Sequence, residues 1–226
     1  MENVHEGHRK RLRQRFLSEG LESFEPHNVL ELLLFYTNPR IDTNELAHRL
    51  IERFGSLAGV FNAHVDELVK VRGLGESGAV LLHLVPQLLR VYSLDNHDRA
   101  PLDTARRMCD YCMAAFLGTS VEEVRVICLD DTLRVISNTI ISEGAFSNVS
   151  INARRIVDVA FRSRSDLLIL AHNHPNGKEL PSEQDEVATR QIFKLLKALG
   201  MTLLDHIVVG GTNAFSMRDG GYFYDL

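Results

Sequence analysis

The stretch LLILAHNHPNGKELPSEQDEV, residues 167–187, runs from four apolar side chains, Leu167 to Leu170, into two histidines, a proline and glycine break, a serine and an aspartate. An apolar run bounded by turn residues reads as a buried strand, and SEQDEVATRQIFKLLKALG reads as the helix that follows, stopped by Gly200. His172 and His174 are one residue apart, so an extended backbone projects both imidazoles from the same face, where they can share one ion. Pro175 and Gly177 turn the chain, and the first turn of the helix can bring Asp185 back to the histidines. Two imidazoles, a carboxylate and a water make a four-coordinate zinc site with one exchangeable position, one Zn2+ per chain. A plainer reading stands beside it: Ser182 and Asp185 have the spacing of a helix capping box, and histidines at a strand end can bond backbone groups. The two are compatible if Ser182 caps while Asp185 points inward.

Outward from this stretch, the C-terminal half alternates strand and helix. EVRVICLD (123–130) and RVISNTII (134–141) are β-rich runs around a DDT turn and read as a hairpin. INARRIVDVAFRS is an amphipathic helix, MTLLDHIVVGG another strand, and a further helix is expected over 103–117. The N-terminal half differs. Residues 8–92 read as helices throughout, with HNVLELLLFY, TNELAHRLIERFG and SGAVLLHLVPQLLRVY punctuated by Pro26, Pro39, Gly55 and Gly73. SLDNHDRAPLD then breaks the pattern. The expected organisation is an all-helical domain at 1–92, a linker at 93–102 and a mixed α/β (α+β) domain at 103–226.

With 226 residues, 45% hydrophobic and 24% charged, the chain has the composition of a soluble globular protein. It contains no apolar run near the roughly 20 residues of a membrane span, and its start lacks the apolar core of a secretory signal. No membrane partner and a cytoplasmic location are therefore expected. The three cysteines agree with a reducing compartment, and Cys109 and Cys112, a C-x-x-C on a helix without a second pair, read as inert thiols. A net charge of -5 confines any nucleic-acid role to a local patch. The candidates are the run Arg9, Lys10, Arg11, Arg13 and Arg15, which can equally be a solvated helix face, and Arg72 with the hairpin glycines Gly73 and Gly75. Those glycines would let backbone N–H groups approach a phosphate, although glycine hairpins also join helices for steric reasons.

His172-x-His174, then Ser182, two residues and Asp185 resembles the JAMM zinc motif of the MPN/JAB fold, and AHNHP with LLDHIVVG resembles the RadC family. GHRKRLRQRF, ELLLFYTNPRIDTNELAHRLIERFGSL and VRGLG are similar to the N-terminal region of that family. The resemblance implies a helix-hairpin-helix-like domain followed by a JAB/MPN mixed sheet with flanking helices, layered as in cytidine deaminases. It also implies an upstream glutamate that activates a zinc-bound water. Glu122, Glu123 and Glu143 compete for that role, and the similarity of EEVRVICLD to the family's strand aligns Glu122 with it. Strand alternation agrees in part, placing Glu122 on the face of Val124, Val126 and Cys128, with Glu123 beside Arg125 on the opposite, wetter face.

The resemblance further implies peptidase or isopeptidase chemistry on an unidentified protein or peptide substrate. Glu122 is the expected base, and Ser182 a donor to the developing oxyanion. A DNA-repair association through the N-terminal domain comes with it. The alternatives are a DNA-binding protein with a structural zinc and a metal-dependent nuclease. His206 is read either as an orienting group or as a core histidine.

Overall fold

The computed structural model describes residues 4–39, 41–97, 100–144, 149–175 and 177–223. The chain divides into two compact units, Met1–Leu88 and Leu89–Leu226.

The first unit is helical, as expected: α1 (Val4–Glu19), α2 (Pro26–Leu34), α3 (Asn44–Phe54), α4 (Leu57–Asn62), α5 (Val65–Leu68) and the start of α6 (Glu76–His97). Pro26 opens α2, where its missing N–H is not needed, and the Ser56 hydroxyl caps α4 by accepting from the Gly59 N–H. Leu30 and Leu34 of α2 meet Leu46 and Leu50 of α3 around a core that also takes in Val60, Leu68, Leu74 and Leu82. Helix α6 extends further than the composition suggested. Ser93 to His97, read from sequence as the start of the linker, are helical, and Leu94 packs against the core of the second unit. Residues 98 and 99 lie outside the described ones.

The second unit is a five-stranded mixed sheet in the order β2-β1-β3-β4-β5, formed by β1 (Glu123–Leu129), β2 (Val135–Glu143), β3 (Leu167–His174), β4 (Thr202–Gly210) and β5 (Asn213–Ser216). β1 and β2 are the expected antiparallel hairpin, β3 is antiparallel to β1 and parallel to β4, and the short β5 closes the edge. Helices α8 (Val149–Ser163) and α9 (Glu183–Ala198) provide the crossovers. Their residues Ile156, Ala160, Ala188 and Ile192 pack against Val124, Val126, Leu168 and Leu170 on one face of the sheet. Helix α7 (Ala105–Ala115) covers the other face, with Met108, Tyr111 and Cys112 against Ile127, Ile169, Ala171 and Ile207. Both faces are buried, so β1 and β3 carry almost unbroken apolar runs instead of strict alternation.

That three-layer arrangement corrects one reading of β1. Glu123 and Arg125 do pair, at 2.6 Å, but the pair is buried, with side chains 10% and 8% exposed. The face expected to be wetter is roofed by the end of α7. Arg125 lies over the Phe116 ring, 5.1 Å from its centroid, and reaches Asn138 on β2.

A candidate metal centre at the end of strand β3

The β3 strand delivers His172 and His174 to its C-terminal end, and the capped N-terminus of α9 delivers Asp185 beside them. His172 Nε2 lies 3.1 Å from His174 Nε2, and Asp185 Oδ2 lies 3.6 Å and 3.8 Å from those two nitrogens. A point equidistant from three atoms at these separations sits about 2.0 Å from each, which matches zinc–imidazole bonds of roughly 2.0–2.1 Å. Among the described residues this is the one group of three histidine, cysteine or acidic side chains close enough to hold a metal. His172 is fully buried and Asp185 nearly so, while the His174 side chain is 23% exposed, which leaves an approach from solvent on its side.

The capping box expected at Ser182 and Asp185 is present, and Asp185 also faces the histidines as a candidate ligand. Ser182 Oγ accepts from the Asp185 N–H, and Asp185 Oδ2 accepts from the Ser182 N–H at 2.8 Å and from its hydroxyl at 2.6 Å, a complete capping box. The same Oδ2 faces both histidines. Burial acts to raise the Asp185 carboxyl, but the His172 imidazole and the two Ser182 bonds outweigh it and hold the group well below the usual carboxylate range. It is therefore an anion at neutral pH. In this arrangement the Ser182 hydroxyl proton is committed to Asp185.

Each histidine is oriented by a second partner through its other nitrogen. His174 Nδ1 donates to the Lys178 carbonyl at 2.8 Å, which leaves the Nε2 lone pair facing the site. The loop carrying that carbonyl lies against β4, where a Cβ on Gly210 would come within 2.4 Å of the Lys178 and Glu179 backbone. Only glycine permits that approach. His172 Nδ1 lies 2.8 Å from His206 Nε2, and His206 Nδ1 lies 2.6 Å from Thr189 Oγ1. His206, left open from sequence between a core and an orienting role, is completely buried and touches a member of the triad. Burial lowers its pKa well below the ordinary histidine value, with His172 adding to the effect.

The three glutamates are sorted by strand pairing. Val124 pairs with Ser142 on β2 and His172 on β3, so these three share a face of the sheet. Glu122, two residues before Val124, falls on that face by alternation and is half-buried. Glu123 and its ladder partner Glu143 fall on the other face, where Glu123 is already paired with Arg125. The backbone around Glu122 is held on three sides. Gly144 N–H donates to the Glu122 carbonyl at 2.7 Å, Glu123 N–H donates to Asn173 Oδ1 at 2.7 Å, and Asn173 Nδ2 donates to the Val121 carbonyl at 2.9 Å. Asn173 lies between the two histidines, so the strand carrying them also clamps the segment carrying Glu122.

A match to the RadC-like JAB domain covers residues 102–222. The chain belongs to the RadC-like JAB family. It is 33% identical over 216 residues to a UPF0758 protein of Ruegeria pomeroyi, covering 95% of this chain and 96% of the relative. It is 35% identical over 211 residues to a UPF0758 protein of Rhodobacter capsulatus, covering 93% and 99%. Within this RadC-like frame the histidines and aspartate form a candidate metal triad on the expected fold.

Sequence reasoning missed Asn173, Thr189 and the Lys178 carbonyl. Thr189 had a faint signal, since it stands four residues after Asp185 and so shares its helix face. Asn173 and Lys178 had none, because the backbone partners of Asn173 lie 50 and 52 residues away and Lys178 acts through its carbonyl, which no side chain marks. The remaining candidates lie in the first unit. Arg9 donates to the carbonyls of Asn38, Pro39 and Ile41 at 2.6–2.8 Å, and Arg9 and Arg13 lie over the Phe35 ring, so both contribute to packing of α1. Arg11 is exposed. Arg72, Gly73 and Gly75 lie in an exposed turn before α6, with Gly73 at φ +94°. Arg72 also lines, with Arg49, Glu52, Arg53, Lys70 and Val71, a shallow concavity of about 290 Å³ in which four of the five charged side chains are basic. Among the described residues no helix is long and apolar enough to cross a membrane. The thiols of Cys109 and Cys112 are both raised, chiefly by burial, Cys109 to about 11.

Proposed function

We propose that this protein is a JAMM-type zinc metallohydrolase acting on a peptide or isopeptide carbonyl. One observation carries the reading. His174 donates its Nδ1 proton to the Lys178 carbonyl, so its Nε2 lone pair faces the anionic Asp185 Oδ2 at 3.8 Å, with His172 Nε2 3.1 Å and 3.6 Å from those two atoms. Two acceptors so close repel each other, and a cation held among the three atoms relieves that repulsion.

His172 Nε2, His174 Nε2 and Asp185 Oδ2 would hold the ion. Bound zinc supplies Lewis acidity, which acidifies a water and polarises a carbonyl. Glu122 takes the proton of the attacking water and returns it to the leaving amine, a role for which its half-buried position on the triad's face of the sheet suits it. Ser182 orients Asp185, and its hydroxyl would serve an oxyanion by exchanging that bond for one to the substrate.

Elemental analysis of the purified protein should find about one zinc per chain. Replacing His172 and His174 together by alanine should abolish it, and full retention there would overturn the site. In a screen against peptide, isopeptide and DNA substrates, Glu122→Gln should keep the metal and lose turnover, whereas Glu143→Gln should keep both. Cleavage of DNA alone would move the chemistry from carbon to phosphorus.

A second reading concerns the first unit, where the exposed turn at Arg72 and Gly73 adjoins the basic concavity. That surface fits a phosphate backbone. Binding there should be insensitive to sequence and fall steeply with salt in a fluorescence-anisotropy titration. Arg72→Ala should weaken it, and unchanged binding would remove the turn from the reading.

A further inference from the structure

We propose that Thr189 and His206 are positioning residues for the metal centre, forming a directed hydrogen-bond relay that fixes the tautomer of His172. The inference rests on the reading of His172, His174 and Asp185 as ligands, and concerns what holds His172 ready for that role.

The relay starts at an atom that can only accept. Thr189 Oγ1 lies 2.6 Å from the backbone carbonyl of Asp185, so the Thr189 hydroxyl proton lies in that bond. Met217 Sδ, 3.7 Å away, does not compete for it, and a proton given instead to His206 Nδ1 would leave Thr189 Oγ1 and the carbonyl oxygen 2.6 Å apart with none between them. Having given its single proton to the carbonyl, Thr189 Oγ1 can only accept from His206, 2.6 Å away, which places a proton on His206 Nδ1. A neutral His206 then presents an Nε2 lone pair to His172 Nδ1 at 2.8 Å, and the proton in that bond belongs to His172. Its Nε2, the atom facing His174 and Asp185, is left bare, as a metal ligand must be.

Reversal of the relay carries a specific penalty. If His172 held its proton on Nε2, His206 would have to donate to His172 and accept from Thr189. Thr189 Oγ1 and the Asp185 carbonyl oxygen would then stand 2.6 Å apart with no proton between them. The hydroxyl of Thr189 thus decides the protonation of a ring two hydrogen bonds away. The relay also closes on itself, because the carbonyl at its origin belongs to the residue whose carboxylate completes the triad. Helix α9 therefore supplies one ligand directly and orients a second through β4, and the carbonyl of Asp185 and its carboxylate act on the same centre from two sides.

The test separates hydroxyl chemistry from shape. Thr189→Val keeps the branched volume and removes the donor, while Thr189→Ser keeps the donor. Zinc affinity of the full-length protein, measured by competition with a chromogenic chelator, should fall 10–100-fold in Thr189→Val and stay within a few-fold of wild type in Thr189→Ser. In the metal-free proteins at mildly alkaline pH, nitrogen-15 shifts of the His172 ring should report the Nδ1–H form in wild type and Thr189→Ser. A mixture of tautomers should appear in Thr189→Val. Urea unfolding of the metal-free proteins controls for a general loss of structure, and Thr189→Ala carries the same expectations should the valine variant not fold. Wild-type zinc affinity together with an unchanged His172 tautomer in the hydroxyl-free variants would overturn the relay. Absence of zinc binding by the wild type would instead overturn the metal reading, and the tautomer measurement would still decide the relay.

Discussion

Replacing Asn173 by alanine removes both hydrogen bonds that clamp the chain on either side of Glu122. The Glu123 N–H, whose residue is 8% exposed, loses its 2.7 Å acceptor and has no route to water. An orphaned buried donor costs about 1–3 kcal/mol. The Val121 carbonyl loses its 2.9 Å donor, but Val121 is 51% exposed and the oxygen can be rehydrated, which limits that loss to about 0.5–1.5 kcal/mol. The sum is about 1.5–4.5 kcal/mol, to be read from urea unfolding of the metal-free protein. His172 and His174 flank the substituted residue and remain on the β3 strand, so zinc stoichiometry should stay near that of wild type. Turnover should fall, because the backbone that aims Glu122 has been released. Asn173→Asp sharpens the test, since it preserves the acceptor for Glu123 and places an oxygen against the Val121 carbonyl; it should aim Glu122 no better than alanine does. A stability loss under about 1 kcal/mol in Asn173→Ala, or loss of the metal with turnover per bound zinc unchanged, would refute the clamp.

Arg125→Ala should destabilise the protein by about 3–5 kcal/mol in urea unfolding, because it leaves the buried Glu123 carboxylate without its cation, while replacing both partners by apolar residues should recover much of the loss. The Cys109 thiol, pushed up to about 11 by burial and by Asp205, should react with a disulfide reagent near neutral pH more slowly than a free thiol, and full speed should return in urea. Because the Asp185 carboxyl is held below its unfolded value, its contribution to stability is fully present above about pH 4 and is lost as pH falls through the folded value. Asp185→Asn should therefore flatten the acid limb of a stability–pH curve for the metal-free protein, and an unchanged slope would show that the carboxyl is not held down in the fold.

The elements of this protein were legible in the chain because local chemistry suffices for them. Turn residues bound the apolar run before His172, the Ser182–Asp185 spacing announces a helix start, and helical periodicity fills most of the first 92 residues. The triad was legible for the same reason: His172 and His174 share a strand face by the geometry of extended backbone, and Asp185 lies one short loop away. What surrounds the triad was not. Alternation along β1 already set Glu122 apart from Glu123, but placing Glu143 opposite Glu123 depends on the β1–β2 register, a property of the assembled sheet. The burial of Glu123 and Arg125 depends on α7 lying across a face that alternation alone leaves open. Asn173, His206 and Thr189 act through partners 52, 34 and 17 residues away in the chain, at hydrogen-bond distances that no spacing rule encodes. A strand or helix carries its own periodicity, but a hydrogen bond between elements exists only after packing has brought its two atoms together.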